Sequence, residues 1–402
     1  MPDPSPSSPA RSDLSWFARR RLAATDATAR RTHDELVARG LDAATSRGTS
    51  AVTLLAVLVL VAAVAAVLLL ALATVTPKGM WGWVGVAAGW ALVAALAPRP
   101  VRVHDATELD PAHFPATHRL VRDLASAVGA PPPATVHVDT DFGAGVVSTG
   151  WAQRPALVVG LPLWTCLTDE ERIALLCHEL GHLRSRDTGH AALVGHAHGL
   201  LERLATLLTP LPRDAVSDLE DARLGVGRSN AVVNGVGRAV LTVVSLPTLL
   251  LLLAFERGAA RDSQVREYAA DLRAAEVAGT PAMLRLLLTT TGISGLHTLA
   301  GAAARRREDP FDALAQVRDR VALTAGQVAR ARTRAREEDL RWDASHPRDD
   351  LRIGVLQAHP TTADAPGLEA RHALVGAADA ELAGLRPLLT RRFRDDLLES
   401  WL

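Results

Sequence analysis

Residues 177–187 read CHELGHLRSRD, and three of them carry the strongest chemical signal in the chain. Side chains four apart on a helix share one face, so His178 and His182 can offer their imidazoles to a single divalent ion. Glu179 then sits beside a metal-bound water, the position of a general base, and H-E-x-x-H is the pattern that does this chemistry in zinc peptidases. Two nitrogens do not complete such a site, because a catalytic zinc takes three protein ligands and leaves a fourth position open. An elongated motif would need a histidine ten residues after the first; position 188 is threonine, and His190, His196 and His198 are out of step and read as local or interfacial. The other common third ligand is a carboxylate. SQVREYAAD, residues 263–271, sets Glu267 and Asp271 four apart on a second predicted helix. Glu267 can bind zinc, and Asp271 can accept a hydrogen bond from the far nitrogen of a ligating histidine, which fixes its tautomer and raises its basicity. The bland reading of the first stretch, a polar helix face, is the minor one even alone, whereas for the Glu/Asp pair an ordinary charged face is the default without the upstream motif. Cys177 points away from both histidines by about 100° and 140° around a helix and reads as core.

The elements that must position these residues are partly legible. TDEE at 168–171 reads as a capping box with acidic side chains in the first helical turn, and the helix then runs through Ile173, Leu176 and Leu180. Ahead of it, GAGVVSTG and PALVVGLPLW read as paired strands. Their bland reading is two core strands of a small sheet, over Ala144 to Ser148 and Ala156 to Val159. Further on, SHPRDDLRI supplies a His-Pro pair, His346 and Pro347, with Arg352 six residues after the histidine.

Together these stretches resemble the HtpX-like family of membrane zinc endopeptidases, relatives of the CAAX prenyl-protein endopeptidase. That family pairs H-E-x-x-H with S-R-x-x-E-x-x-A-D, matched here at Ser263, Glu267, Ala270 and Asp271; Gln264 stands where arginine is usual, which puts a structural contact in question but not the ligand. The resemblance covers residues 50–355 by architecture. It implies a mainly helical, α+β zincin-like metallopeptidase domain with a small sheet plus transmembrane helices, and one zinc ion per chain. It further implies that His346 hydrogen-bonds the developing oxyanion and that Arg352 braces the active-site carboxylates. His359–Pro360 lacks a matching arginine and reads as a loop turn. An exposed edge strand at Ala144, Gly145, Val146 and Val147 would bind an extended peptide by β-addition.

Composition sets the surroundings. Lys plus Arg equals Asp plus Glu at 44 each, so nothing points to nucleic acid. The two cysteines are too few for a disulfide framework and fit a reducing compartment. Ala51 to Val75 is uncharged and long enough to cross about 30 Å of hydrocarbon as a helix. Gly79 to Pro98 is a second uncharged stretch, with Trp81 and Trp83 suited to an interface, joined to the first by TPKG as a hairpin. Arg30, Arg31, Arg39 and Arg47 precede the first span and Arg99 and Arg102 follow the second, whereas the loop between has only Lys78, so both flanks are expected in the cytoplasm of a multi-pass plasma-membrane protein. The opening MPDPSPSSPARS reads as disordered.

A further apolar block, Ala239 to Phe255, is interrupted by Pro247 and lies between His182 and Glu267. A single crossing there would strand Glu267 on the opposite face from the histidines, so crossings in this interval must be even in number. Thr188 to Leu211 is the partner, although Glu202 and Arg203 are expensive in lipid, and interfacial or re-entrant helices fit equally. The expected division is a cytoplasmic Arg-rich segment (1–50), a transmembrane hairpin (51–98), a zincin part with sheet and H-E-x-x-H helix (99–187), a membrane-associated hairpin (188–256), a zincin part with the Glu ligand and His-Pro segment (257–358) and a helical tail (359–402). Near Ala313 to Trp342 the alternating charges read as a solvated helix, and the chain after His359 is uninformative. The activity these expectations describe is zinc-dependent hydrolysis of peptide bonds in unfolded or membrane proteins at the cytoplasmic face. The rival class is a membrane sensor or scaffold with a structural or inactive zinc. A site-two-type intramembrane protease is disfavoured, since no Asp-Gly ligand motif lies within an apolar span.

Overall fold

The structure is a computed structural model of the chain and describes residues 29–38, 49–76, 79–97, 103, 105–150, 154–184, 188–208, 228–318, 326, 328–330, 333, 347–363 and 365–399. In chain order the elements are helix α1 (residues 29–38), α2 (Thr49–Val75), α3 (Met80–Leu96), strand β1 (Thr107–Glu108), α4 (Pro115–Ala127), β2 (Thr135–Asp139), β3 (Ala144–Thr149), β4 (Arg154–Gly160), α5 (Leu161–Cys166), α6 (Asp169–Arg184), α7 (Thr188–Leu208), α8 (Arg228–Ala278), α9 (Thr280–Thr291), α10 (Ile293–Arg305), α11 (Pro310–Ala315), α12 (Asp349–Ala358), α13 (Ala365–Leu382) and α14 (Arg386–Glu399). Helix dominates, beside one small mixed sheet. Two compact units result, one of Met1–Ser46, Pro100–Asp187 and Ala260–Leu402, the other of Arg47–Arg99 and Thr188–Ala259. Helix α8 gives its first part to the second unit and its end to the first.

In the first unit the strand order is β1-β2-β4-β3, with β2 and β4 parallel and the outer pairs antiparallel. The β3–β4 hairpin pairs Ala144 with Val159 through Thr149 with Arg154, which leaves β3 at an edge of the sheet. Alternate residues of a strand face one side, and Val136, Val138, Leu157 and Val159 are buried in one core with Leu120 and Leu124 of α4 and Leu176 and Leu180 of α6. Helix α6 opens as its sequence requires: the Thr168 N–H donates to Glu171 Oε2 at 2.8 Å and the Glu171 N–H to Thr168 Oγ1 at 3.4 Å.

The next residue, Arg172, is fully buried and held on every side. It donates to Asp379 Oδ2 at 2.6 Å, Asp169 Oδ1 at 3.1 Å and the Trp164 carbonyl at 3.0 Å, while the Trp164 indole N–H donates to Asp379 Oδ1 at 2.7 Å. Helix α13 is thereby fastened to the start of α6. It also supplies Glu381, which accepts the N–H groups of Ala116 (2.6 Å) and Thr117 (2.9 Å) and the Thr117 hydroxyl (2.8 Å), and so caps α4 from far along the chain. Val375, Ala378 and Leu382 of α13 and Leu389, Phe393 and Leu397 of α14 complete the core. The C-terminal segment that reads as uninformative in sequence is one of the walls of this unit.

In the second unit α2 is uncharged along its 27 residues and exposes Leu54, Leu58, Val61, Leu68 and Leu72. It is the one described helix long and apolar enough to cross a membrane; Met80–Leu96 and Ser245–Glu256 are shorter apolar segments. Val52 and Ala56 of α2 pack with Ala197 and Leu201 of α7 and Phe255 of α8. Arg203, read as expensive in lipid, donates from Nε to the Leu96 carbonyl at 3.0 Å, at the negative end of α3. Pro247, read as an interruption, lies inside the continuous helix α8. The flanking Arg39, Arg47, Arg99 and Arg102, the loop residue Lys78, the opening twelve residues, the connection 209–227 and most of the stretch 313–342 lie outside the described residues.

Candidate metal centre

Two helices of the first unit build the site. Helix α6 carries His178, Glu179 and His182, and the end of α8 carries Glu267 and Asp271. Their close approach depends on small residues: a Cβ added at Gly181 would meet Ala270 Cα at 3.3 Å and Ala270 Cβ at 3.4 Å. That crossing brings together three donors from separate parts of the sequence. His178 Nε2 and His182 Nε2 are 3.3 Å apart, His182 Nε2 is 3.4 Å from Glu267 Oε1, and His178 Nε2 is 3.6 Å from Glu267 Oε2. Among the described residues this is the group of histidine, cysteine, aspartate and glutamate side chains able to hold a metal ion, its ligand atoms all within 4.8 Å of one another.

The spacing tests the donor set against zinc. A tetrahedral ion with bonds of about 2.0–2.2 Å separates its ligand atoms by about 3.3–3.6 Å; the two imidazole nitrogens meet that spacing, and each has its own Glu267 oxygen within it, Oε1 for His182 and Oε2 for His178. The protonation pattern agrees. His178 Nδ1 lies 2.9 Å from Asp271 Oδ1, which places the imidazole proton on that side and turns the Nε2 lone pair toward His182 and Glu267. Asp271 is held in turn by Arg352 of α12, whose Nε and Nη2 donate to its two oxygens at 2.8 and 2.7 Å in a fork matched to a carboxylate. Arg352 Nη1 reaches Asp349 Oδ1 at 3.5 Å, and Asp349 accepts the Thr291 hydroxyl at 2.8 Å.

All of this is buried: His178, Glu267, Asp271 and Arg352 are each less than a tenth exposed, and His182 and Glu179 are partly open. Burial is the largest influence on Asp271 and would raise its pKa, but Arg352 and His178 outweigh it and hold the carboxyl well below the usual range. For His178 burial again leads and opposes the imidazolium, while Asp271 more than offsets it and the net direction is upward. Burial pushes both thiols, Cys166 and Cys177, up to about 12, so Cys177 is a core thiol beside the histidines rather than a thiolate ligand.

Of the residues singled out in the sequence, His178, His182, Glu267, Asp271 and Arg352 meet in one cluster, with Glu179 between the histidines on α6. Ala144, Gly145, Val146 and Val147 lie on edge strand β3, which packs against α6. His346 lies outside the described residues. His198 packs its ring 5.9 Å from Phe255 in the second unit. Sequence reading missed Gly181 and Asp349, whose partners Ala270 and Thr291 lie on other helices and leave no local mark.

Residues 111–359, more than half of the chain, match the profile of Peptidase family M48. This chain belongs to peptidase family M48. It is an M48 metalloprotease and hence a hydrolase, and zinc is the metal that membership implies. It is 29% identical over 222 residues to a Protease HtpX homolog from Acidiphilium cryptum (strain JF-5), a similarity covering 51% of this chain and 70% of that one. No solved structure matches the chain significantly. Helix α1 and the wall formed by α13 and α14 fall outside the family-matched residues of this M48 peptidase.

Proposed function

We propose that the chain is a membrane-bound zinc endopeptidase that hydrolyses peptide bonds of unfolded or membrane proteins at the cytoplasmic face. The observation that carries this reading is the convergence of His178 Nε2, His182 Nε2 and the Glu267 carboxylate, whose two oxygens lie 3.4 and 3.6 Å from the two nitrogens. When bound there, zinc supplies a Lewis acid for the scissile carbonyl and lowers the pKa of water. Glu179 takes the proton from the attacking water and passes it to the leaving amine, base first and acid second. Asp271, braced by Arg352, keeps the Nε2 lone pair of His178 aimed at the site. His346 donates to the developing oxyanion, a role whose loss elsewhere costs about 2.7–4 kcal/mol. An extended substrate adds along β3, where a Cβ on Gly145 would meet nothing within 4 Å.

Membrane attachment is supported by α2, by the arginines flanking it in sequence, and by Arg203 at the end of α3. The cytoplasmic placement rests on the arginine asymmetry. Because His182 and Glu267 lie together on either side of the insert 188–256, that insert crosses an even number of times or lies in the interface.

The test pairs two variants of the purified full-length protein. Glu179→Gln should keep its zinc and lose cleavage of an unfolded protein by several orders of magnitude; Glu267→Ala should lose most of the zinc. Unchanged cleavage in the first removes the general base as assigned, and full metal content in the second removes the third ligand.

A further inference from the structure

Helix α1 lies outside the family-matched residues, yet it is built into the peptidase core. Ala29, Thr32 and Leu36, which share one face of the helix, are each under 5% exposed, whereas Arg30, Arg31, Asp34 and Glu35 face solvent. Leu36 belongs to the same buried cluster as Ile353, Val355 and Leu356 of α12. One close contact and one hydrogen bond seat the helix on α12 and its C-cap residue. His33 Nε2 occupies the space above Gly354, 2.7 Å from where a Cβ would stand, and His359 Nε2 lies 3.1 Å from the Leu36 carbonyl.

The residue two before Gly354 is Arg352. A short line of contacts therefore runs from α1 through α12 to the Arg352 fork on Asp271, and from Asp271 to the back of His178. The step from Gly354 to Arg352 runs along the backbone of α12, and the others are side-chain contacts. The orientation of a ligating imidazole is set by its outer partner, and here that partner is set by the seating of a helix that α1 holds down.

We propose that α1 is a strap for the metal centre, with Leu36 and His33 as positioning residues whose anchorage of α12 keeps Asp271 against His178. This rests on the zinc reading given above. Losing α1 contacts would let α12 shift, loosen the Arg352 fork and weaken metal binding without touching a ligand.

The experiment is zinc affinity of the full chain, read by competition with a chelator at a temperature well below each variant's melting midpoint, where reduced global stability alone leaves affinity unmoved. Leu36→Asp should weaken zinc by about tenfold, the lower end of what losing an outer partner costs, and Leu36→Met should restore it. A folded Leu36→Asp protein binding zinc as tightly as the parent overturns the strap. If that variant does not fold, His33→Ala combined with His359→Ala loosens the same seat without burying a charge and is read in the same way. A parent protein that binds no zinc overturns both readings; a parent that needs Glu267 for zinc, with α1 variants indistinguishable from it, overturns this one alone.

Discussion

At His178 the imidazole Nδ1 lies 2.9 Å from Asp271, and Asp271 is held by two nitrogens of Arg352, so three buried charged or polar groups are paired in a line. Tyr268, next to Glu267 in the chain, is different: it is fully buried, its hydroxyl has no hydrogen-bond partner among the described residues, and burial pushes its pKa up. An unmet buried hydroxyl is a liability rather than an asset. Tyr268→Phe should leave the melting midpoint unchanged or raise it, with a gain of up to about 1 kcal/mol in denaturant titrations; a loss larger than that would mean the hydroxyl has a partner. Glu267 and Asp271 could be put forward from sequence because a four-residue spacing sets both on one helix face and the upstream H-E-x-x-H leaves a third ligand to be found. Arg352 came only through family resemblance, since nothing local marks an arginine whose partner lies 81 positions away. Gly181 was illegible because its value lies in Ala270, on another helix.

Helices reveal the same division. Uniform apolar composition announced α2 and α3, and a four-residue capping box announced α6, because those signals are contained within the element. Helix α13 gives no such notice: its functions are discharged by Asp379 on Arg172 and Glu381 on the start of α4. Burial, the largest influence on Glu381, would raise its pKa, yet the N–H groups of Ala116 and Thr117 and the Thr117 hydroxyl pull it below its ordinary value. A depressed pKa means that the cap contributes fully above the unfolded value of about 4.3 and loses its contribution as pH falls through the folded value. Glu381→Gln should therefore cost about 1 kcal/mol near neutrality, and urea titrations at descending pH should show the gap to the parent closing below about pH 4. A gap that stays constant with pH would exclude the charged cap.

For the molecule as a whole, the family-matched residues do not define the folding unit. The match ends at 359, whereas the core of the first unit continues through Val375, Ala378, Leu382, Leu389, Phe393 and Leu397. Stopping the chain at residue 363 removes those side chains and leaves buried Arg172 with Asp169 as its remaining carboxylate partner. Such a truncation should express as an aggregated or protease-sensitive product, and recovery of a folded zinc-binding protein would show the two helices to be dispensable. The thiols described earlier have a practical consequence at this scale. With Cys166 and Cys177 sealed from solvent and reluctant to ionise, maleimides should pass the native protein by. A single cysteine engineered into a loop would then be the sole reactive position, and impermeant labels could chart which side of the bilayer each loop occupies without first stripping the natural cysteines.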